Sequence, residues 1–501
     1  MPKKPRRNAS GGPNSRRRSG ASLLTPLNAV VAVISLGVAS FLMPASPPTA
    51  ARRIQGPGPG SELYSRWLAD SEVPGAWRGG AALDTAWLRS NHSLAGSPAL
   101  EKCAPQRYLS TEVRAPGFHV LCVLPAEAAA GADAVARVAV FKHGLLRRRA
   151  DATFVLRRAH ADGGWASLVD FLSHKLVDRP RADARFQRMG LFTAFGRRLH
   201  GGGGVGAAFE RPAVLAFEGG QWIWPAVKIG HTVALGELRT KGETTFIKTV
   251  SLKPRVFEVL NFLKSEESDA IQQRAAPHVS NSGVSVKDVD KGKAVETWRT
   301  SSTHFLSSSG FAPLQKVEQR VQRLTRINVS HAEDVQVLRY DLAGRYLAHN
   351  DFFDPKDYKG DPGTMRLIQN GAKNRLATVF FYLNDVPRGG HTGFPRAGGL
   401  PIPMKPNGEA DYGNCKVGIQ VAPKKNKVII FYSLHPDGSL DHHSLHGGCP
   451  VKEGVKWSAN FWLWNKAFPM GMPHRAKMAV AHQNPTTAED DAIENGDYNL
   501  G

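Results

Sequence analysis

A mainly β fold with flanking helices, of the sandwich or jelly-roll kind, is predicted for the C-terminal half of this 501-residue chain. The runs EDVQVLRY, LATVFFYL, KVIIFYSL and WSANFWLW are short and rich in Val, Ile and aromatics. Gly, Pro and Asn clusters separate them, which is how strands joined by turns are punctuated. Leu314, Val317, Val321 and Leu324 follow Pro313 at helical spacing, so one helix packs on the sheet with proline in its first turn.

From the N-terminus, residues 1–20 form a basic leader containing Lys3, Lys4, Arg6, Arg7, Arg16, Arg17 and Arg18. Residues 21–45, ASLLTPLNAVVAVISLGVASFLMP and onward, are apolar enough to cross a bilayer, although Pro26 and Asn28 interrupt the run. Basic residues before it and few acids after it predict a cytosolic N-terminus and an uncleaved signal anchor with the rest of the chain lumenal. A signal peptide cleaved near MPASPPTA, or an organelle transit sequence with Glu62 as the first acid, are the alternatives.

A Pro/Gly-rich linker at 46–61 leads into an unassigned α+β module over 62–245, large enough for its own core. RVAVFKHG, TFVLRRAH and AVLAFEGGQWIWP suggest strands, with a hairpin at Gly219-Gly220, and WASLVDFLSHKL suggests a helix. HGGGGVGAAF lacks the Lys-Ser/Thr of a phosphate loop and reads as a flexible connection. Residues 246–467 carry the jelly roll, and 468–501 have little hydrophobic pattern and read as a disordered tail.

The net charge of +22 is partly topogenic, since the leader and Arg52 and Arg53 contribute nine of the basic residues. Arg147, Arg148, Arg149, Arg157 and Arg158 read as solvated charge, and no nucleic-acid module accompanies them, so nucleic-acid binding is not expected. The four cysteines fall in two local pairs, Cys103 with Cys122 and Cys415 with Cys449, a usage that fits an oxidising lumen. Asn91-His92-Ser93 and Asn328-Val329-Ser330 are glycosylation sequons open to use there.

The chemistry concentrates near the C-terminal end. His349 and Asp351 in LAHNDFF are two apart on a strand-like segment and point to one face. With a distant histidine they make two imidazoles and one carboxylate, a set that holds one face of Fe(II) and leaves the other positions open. His442, His443 and His446 are the candidates for that histidine, and Lys456, ten residues past His446, is a cation suited to an anionic cosubstrate. With 18 histidines an isolated H-x-D arises about once by chance, so the motif needs its context.

That context is Val250 to Asn465, which resembles the prolyl 4-hydroxylase family of 2-oxoglutarate dioxygenases, plant and algal types in particular. The resemblance runs in order through VSLKPRVFEVLNFLKSEESDAI, ETWRTSSTHFL, EDVQVLRYDLAGRYLAHNDFF, RLATVFFYLNDVPRGGHTGFP and KVIIFYSLHPDGSLDHHSLHGGCPVKEGVKWSANFWLW. It implies a double-stranded β-helix, Fe(II) ligands His349, Asp351 and His446, and Lys456 paired with the distal carboxylate of 2-oxoglutarate. Tyr340 and Thr392 match hydroxyls that help hold the cosubstrate. Ser301, Glu333, Arg375 and Trp462 fall where the family lines its peptide groove.

The resemblance further implies a Cys415–Cys449 disulfide, ascorbate as a cofactor, and a membrane of the endoplasmic reticulum or Golgi. The implied reaction hydroxylates peptidyl proline at C4 in proline-rich or collagen-like polypeptides, consuming O2 and 2-oxoglutarate and releasing succinate and CO2. Two positions depart from the pattern. His391 replaces the acid of the usual G-G-E-T, and Trp464 stands where close algal enzymes carry a peptide-touching histidine. Hydroxylation of another residue or of a small molecule, and peptide binding without catalysis, are the alternative functions, because a fold does not choose its substrate. Oligomeric state is not legible.

Overall fold

The computed structural model describes residues 37–38, 102–124, 133–147, 149–162, 164–177, 188–199, 209, 211–285, 287–292 and 294–467. The leader, the linker, Asn91, the tail and, apart from Gly37 and Val38, the expected anchor lie outside the described residues. Among the described residues no helix is long and apolar enough to cross a membrane.

Nine antiparallel strands form the major sheet, in the order Ser280–Asn281, Ser302–Leu306, Val335–Tyr340, Lys456–Trp464, Arg375–Tyr382, Val428–Tyr432, Arg255–Leu260, Phe246–Leu252 and Thr232–Ala234. A four-stranded sheet, Tyr346–His349, His446–Gly448, Thr392–Phe394 and Ile419–Val421, faces it. The central strands are apolar almost throughout because both of their faces are covered. Val428, Ile430 and Tyr432 join one core with Val379 and Phe381, while Ile429 and Phe431 join a second with Phe380, Tyr382 and Phe394.

The first of these cores is sealed by the helix Ala312–Thr325, whose Leu314, Val317, Val321 and Leu324 are buried and whose Pro313 lies in the first turn. The second lies between the two sheets and is where the site forms. Phe246–Leu252 and Arg255–Leu260 pair as a hairpin around Lys253-Pro254 ahead of the helix Ser265–Ala275.

The upstream module is a five-stranded antiparallel sheet, in the order Ala152–Arg157, Ala134–Phe141, Phe118–Leu124, Ala213–Phe217 and Gly190–Phe192. Helix Gly164–Leu176 covers one face through Leu168, Val169, Leu172 and Leu176. The other face, with Phe118, Val120, Leu215 and Phe217, merges into the core beneath helix Ala312–Thr325.

The fusion of the two regions corrects the expected hairpin at Gly219-Gly220. Gly220 turns the chain at φ 77°, but residues 221–225 form no strand. Trp222 and Trp224 instead plug the shared core, edge to face at 5.2 Å. Trp224 donates its indole N–H to Leu324 O at 2.8 Å, and its backbone N–H to the Tyr432 hydroxyl at 3.2 Å. A buried tryptophan needs such an acceptor, and pairing with the neighbouring region supplies it where a hairpin would not. Thr232–Ala234 pairs with Phe246–Leu252, so the major sheet starts before residue 246.

Candidate active site

His349 is the last residue of the strand Tyr346–His349, and Asp351 lies in the bend that follows, so the strand is shorter than the sequence pattern suggests. His446 opens the neighbouring strand and pairs directly with His349. One ring nitrogen from each histidine and a carboxylate oxygen of Asp351 come within 4.8 Å of one another. His349 Nε2 is 3.8 Å from Asp351 Oδ1, and His446 Nε2 is 3.6 Å from Asp351 Oδ2.

The groups behind the triad set its chemistry. His349 Nδ1 is 2.8 Å from Leu347 O and His446 Nδ1 is 2.9 Å from Ser444 O, so each donates Nδ1–H to a carbonyl and presents Nε2 as a bare lone pair. The Thr378 hydroxyl donates to Asp351 Oδ2 at 2.6 Å and fixes that carboxylate. Burial, reinforced by His446, lowers His349 to about 3, leaving it neutral and ready to bind metal. Burial pushes Asp351 up, but His446, His349, Arg375 and Thr378 outweigh it and hold the carboxyl below its ordinary value. Two imidazoles that present Nε2 and one carboxylate fit a divalent iron with open positions.

Lys456 projects between the sheets from the strand Lys456–Trp464, directly opposite Tyr340. Its ammonium lies 5.3 Å from the Tyr340 ring centroid, 5.4 Å from Phe380 and 5.6 Å from Tyr382. Only 2% exposed, it is lowered to about 7 by burial, with no anion opposing the shift. Against an ordinary lysine this is a penalty of roughly 5 kcal/mol on the charged form, and a bound carboxylate would offset it. Thr392 is buried nearby and accepts a hydrogen bond from the Tyr382 hydroxyl at 2.8 Å. Tyr340 is also buried.

The expected groove residues sit deeper than open contacts would. Arg375 is fully buried and donates to both carboxylate oxygens of Glu333, at 2.6 and 2.9 Å. The guanidinium stacks 3.7 Å over Trp462 and reaches Asp351 O at 3.4 Å. Trp464 donates its indole N–H to Glu333 at 2.7 Å, which fixes it as a buried wall stacked on Phe353. Trp462 Nε1 is buried without a partner. Ser301 accepts from Arg299 Nε at 2.7 Å and lies 2.9 Å from the Ser282 hydroxyl.

His442 is exposed beside Phe352, and His443 is held by Asp441. His391 is half-buried, and none of the three belongs to the triad. The expected Cys415–Cys449 disulfide is formed, and Cys103 and Cys122, whose pairing the sequence left open, are bridged as well. Asn328 Oδ1 accepts from Ser330 N at 2.8 Å, so that sequon caps a turn. Sequence reasoning missed Thr378, because a threonine inside LATVFFYL carries the same signal as any β-branched strand residue.

A family model described as "2OG-Fe(II) oxygenase superfamily" matches residues 335–464. The chain is 37% identical over 226 residues to "Probable prolyl 4-hydroxylase 4" of Arabidopsis thaliana, covering 44% of this chain and 71% of that protein. It is 36% identical over 230 residues to "Prolyl 4-hydroxylase 2" of the same plant, covering 46% and 73%. A viral collagen prolyl hydroxylase from Paramecium Bursaria Chlorella virus-1, solved with 2OG, is 24% identical at a TM-score of 0.29, covering 42% of this chain and 95% of that one. On its identity to the Arabidopsis proteins across more than two thirds of their length, the chain belongs to the prolyl 4-hydroxylase family of Fe(II)- and 2-oxoglutarate-dependent oxygenases.

Proposed function

We propose that the protein hydroxylates C4 of peptidyl proline in proline-rich or collagen-like polypeptides, with O2 and 2-oxoglutarate consumed and succinate and CO2 released. The observation that carries the reading is Lys456, a buried amine that no anion among the described residues answers, beside a triad with two bare imidazole nitrogens. His349, Asp351 and His446 hold Fe(II). When bound, the metal supplies the O2 chemistry that side chains lack, with ascorbate as its reductant. Lys456 pairs with the distal carboxylate of 2-oxoglutarate, and the Tyr340 and Thr392 hydroxyls complete its hydrogen bonds.

The Arg375–Glu333 pair, clamped between Trp462 and Trp464, forms the rigid floor beside Asp351 on which a peptide is oriented. In this reading Trp462 gives the groove an aromatic wall for proline and Ser301 gives it a hydroxyl. The apolar cover from Phe380, Tyr382, Phe394 and Phe431 excludes water from the reacting centre.

The test is mass spectrometry of Pro-Pro-Gly, Ser-Pro and alanine-substituted peptides after incubation with the full chain, Fe(II), 2-oxoglutarate and ascorbate. Gain of one oxygen on proline supports the reading. Succinate formation with no peptide modified would move the substrate elsewhere.

The basic leader, the apolar run over 21–45 and the disulfides support a single-pass protein with its catalytic region in the endoplasmic reticulum or Golgi lumen. Protease protection in sealed microsomes, with a glycosidase shift for Asn91 and Asn328, tests it. Digestion of the catalytic region without detergent would overturn it.

A further inference from the structure

A second histidine–carboxylate cluster lies in the upstream module, which the proposed reaction does not use. His119, from the central strand Phe118–Leu124, His143, just past the strand Ala134–Phe141, and Glu218, just past the strand Ala213–Phe217, bring one ligand atom each within 4.8 Å of one another. Three adjacent strands thus deliver the three groups to one end of the sheet. The rings of His119 and His143 are 5.1 Å apart, and His119 Nε2 is 2.9 Å from Glu218 Oε1.

Pairing with a carboxylate puts the His119 ring proton on Nε2, which leaves Nδ1 a bare lone pair. That atom is buried and has no hydrogen-bond partner among the described residues. An unanswered buried nitrogen of this kind carries a desolvation cost that a hydrophobic residue in a core strand would avoid. Gly117 N–H donates to His143 Nδ1 at 3.1 Å, so that nitrogen is unprotonated too. A cation taken at His143 Nδ1 must displace that donor. The half-buried His143 and Glu218 give the cluster access to solvent.

We propose that His119, His143 and Glu218 form a second metal site, distinct from the iron triad, that takes a divalent transition metal of the zinc class. Two imidazoles and one carboxylate suit such an ion and leave a position for water. The site braces a defined part of the molecule. Asp437 N donates to Pro116 O at 3.0 Å and Gly219 N donates to Pro436 O at 2.7 Å, so residues beside the ligands grip the turn at 436–438. A Cβ on Gly117, which has φ +80°, would meet the Asp437 backbone at 2.5 Å, so this approach requires glycine. The gripped turn closes the Leu434–Leu440 bridge, from which the chain runs to His446.

The probe is zinc, added to the chelator-stripped full-length protein and read by elemental analysis and by thermal melting. His143→Gln and Glu218→Gln are the variants, both at half-buried positions so that folding survives; circular dichroism checks it. The expected result is two zinc equivalents in the wild type, one at each cluster, and loss of one equivalent or at least about tenfold weaker binding of it in both variants. In the His349→Ala/His446→Ala protein the remaining equivalent should persist and raise the melting temperature. A folded His349→Ala/His446→Ala protein that takes no zinc, or folded His143→Gln and Glu218→Gln variants that still take two equivalents, would overturn the proposal. Either result reads on the upstream cluster alone, since neither depends on hydroxylation.

Discussion

The two histidine–carboxylate clusters of this chain are held in opposite ways. In the triad each imidazole is tied from behind, Nδ1–H to a backbone carbonyl two residues earlier, and the carboxylate is fixed by Thr378. Upstream, His119 is bonded to Glu218 itself and His143 accepts from Gly117, so the cluster is satisfied internally except for one nitrogen. The first arrangement pre-pays the orientation of its ligands and leaves them empty-handed; the second must exchange a hydrogen bond for an ion. The difference teaches that an open reaction site is recognised by what supports the ligands as much as by the ligands.

The comparison breaks most severely if Asp351→Asn keeps activity. Losing a supporting partner of a metal ligand costs about 10–100-fold, so losing the carboxylate ligand should cut hydroxyproline formation by more than about 100-fold and empty the iron site. Next in size are two buried supports, one beside the triad and one at the joint between the regions. Glu333→Ala strands the fully buried Arg375 charge and should destabilise by about 3–5 kcal/mol. Trp224→Ala opens the joint core and should cost about 3–5 kcal/mol in chemical denaturation, with the module and the major sheet unfolding together.

Lys456→Met should raise the KM for 2-oxoglutarate about 10–100-fold, the worth of a charge-assisted hydrogen bond, with less effect on iron content. Lysine at about 7 in the cosubstrate-free protein also sets a pH dependence. Binding needs the ammonium, so 2-oxoglutarate affinity is flat below pH 7 and weakens as pH rises above it, with proton uptake seen by calorimetry in two buffers. The cosubstrate-free fold responds with the opposite sign. Its folded pKa is depressed, so stability rises with pH between about 7 and about 10.5. The smallest expected effect is Thr378→Val, which removes one support from Asp351 and should weaken iron binding about tenfold in metal titration.

The jelly-roll strands and the helix Ala312–Thr325 were legible in the sequence, because period and spacing report directly on which face a side chain shares; His349 and Asp351 were read from a two-residue spacing whose strand ends at His349, and His446 from the family resemblance. His446 and Lys456 lie on strands that pair with their partners across the sheet, so the family's order of segments sufficed to bring them together. The Nδ1 tethers are local, each to a carbonyl two residues earlier, but they depend on ring orientation, and the Arg375–Glu333 clamp joins distant strands, so neither has a sequence pattern. Phe118–Leu124 went unrecognised as a strand, and with it the meeting of His119, His143 and Glu218, which adjacent strands assemble from three separate segments. Trp222 and Trp224 resembled strand aromatics, whereas their role is set by a core shared with residues a hundred or more positions away.

The most direct test of the catalytic assignment is the ratio of hydroxyproline to succinate formed by the full-length protein on a proline-rich peptide, beside His349→Ala. The assignment predicts one hydroxyproline per succinate in the wild type and neither product in the folded variant. Equal hydroxyproline from both proteins would contradict it.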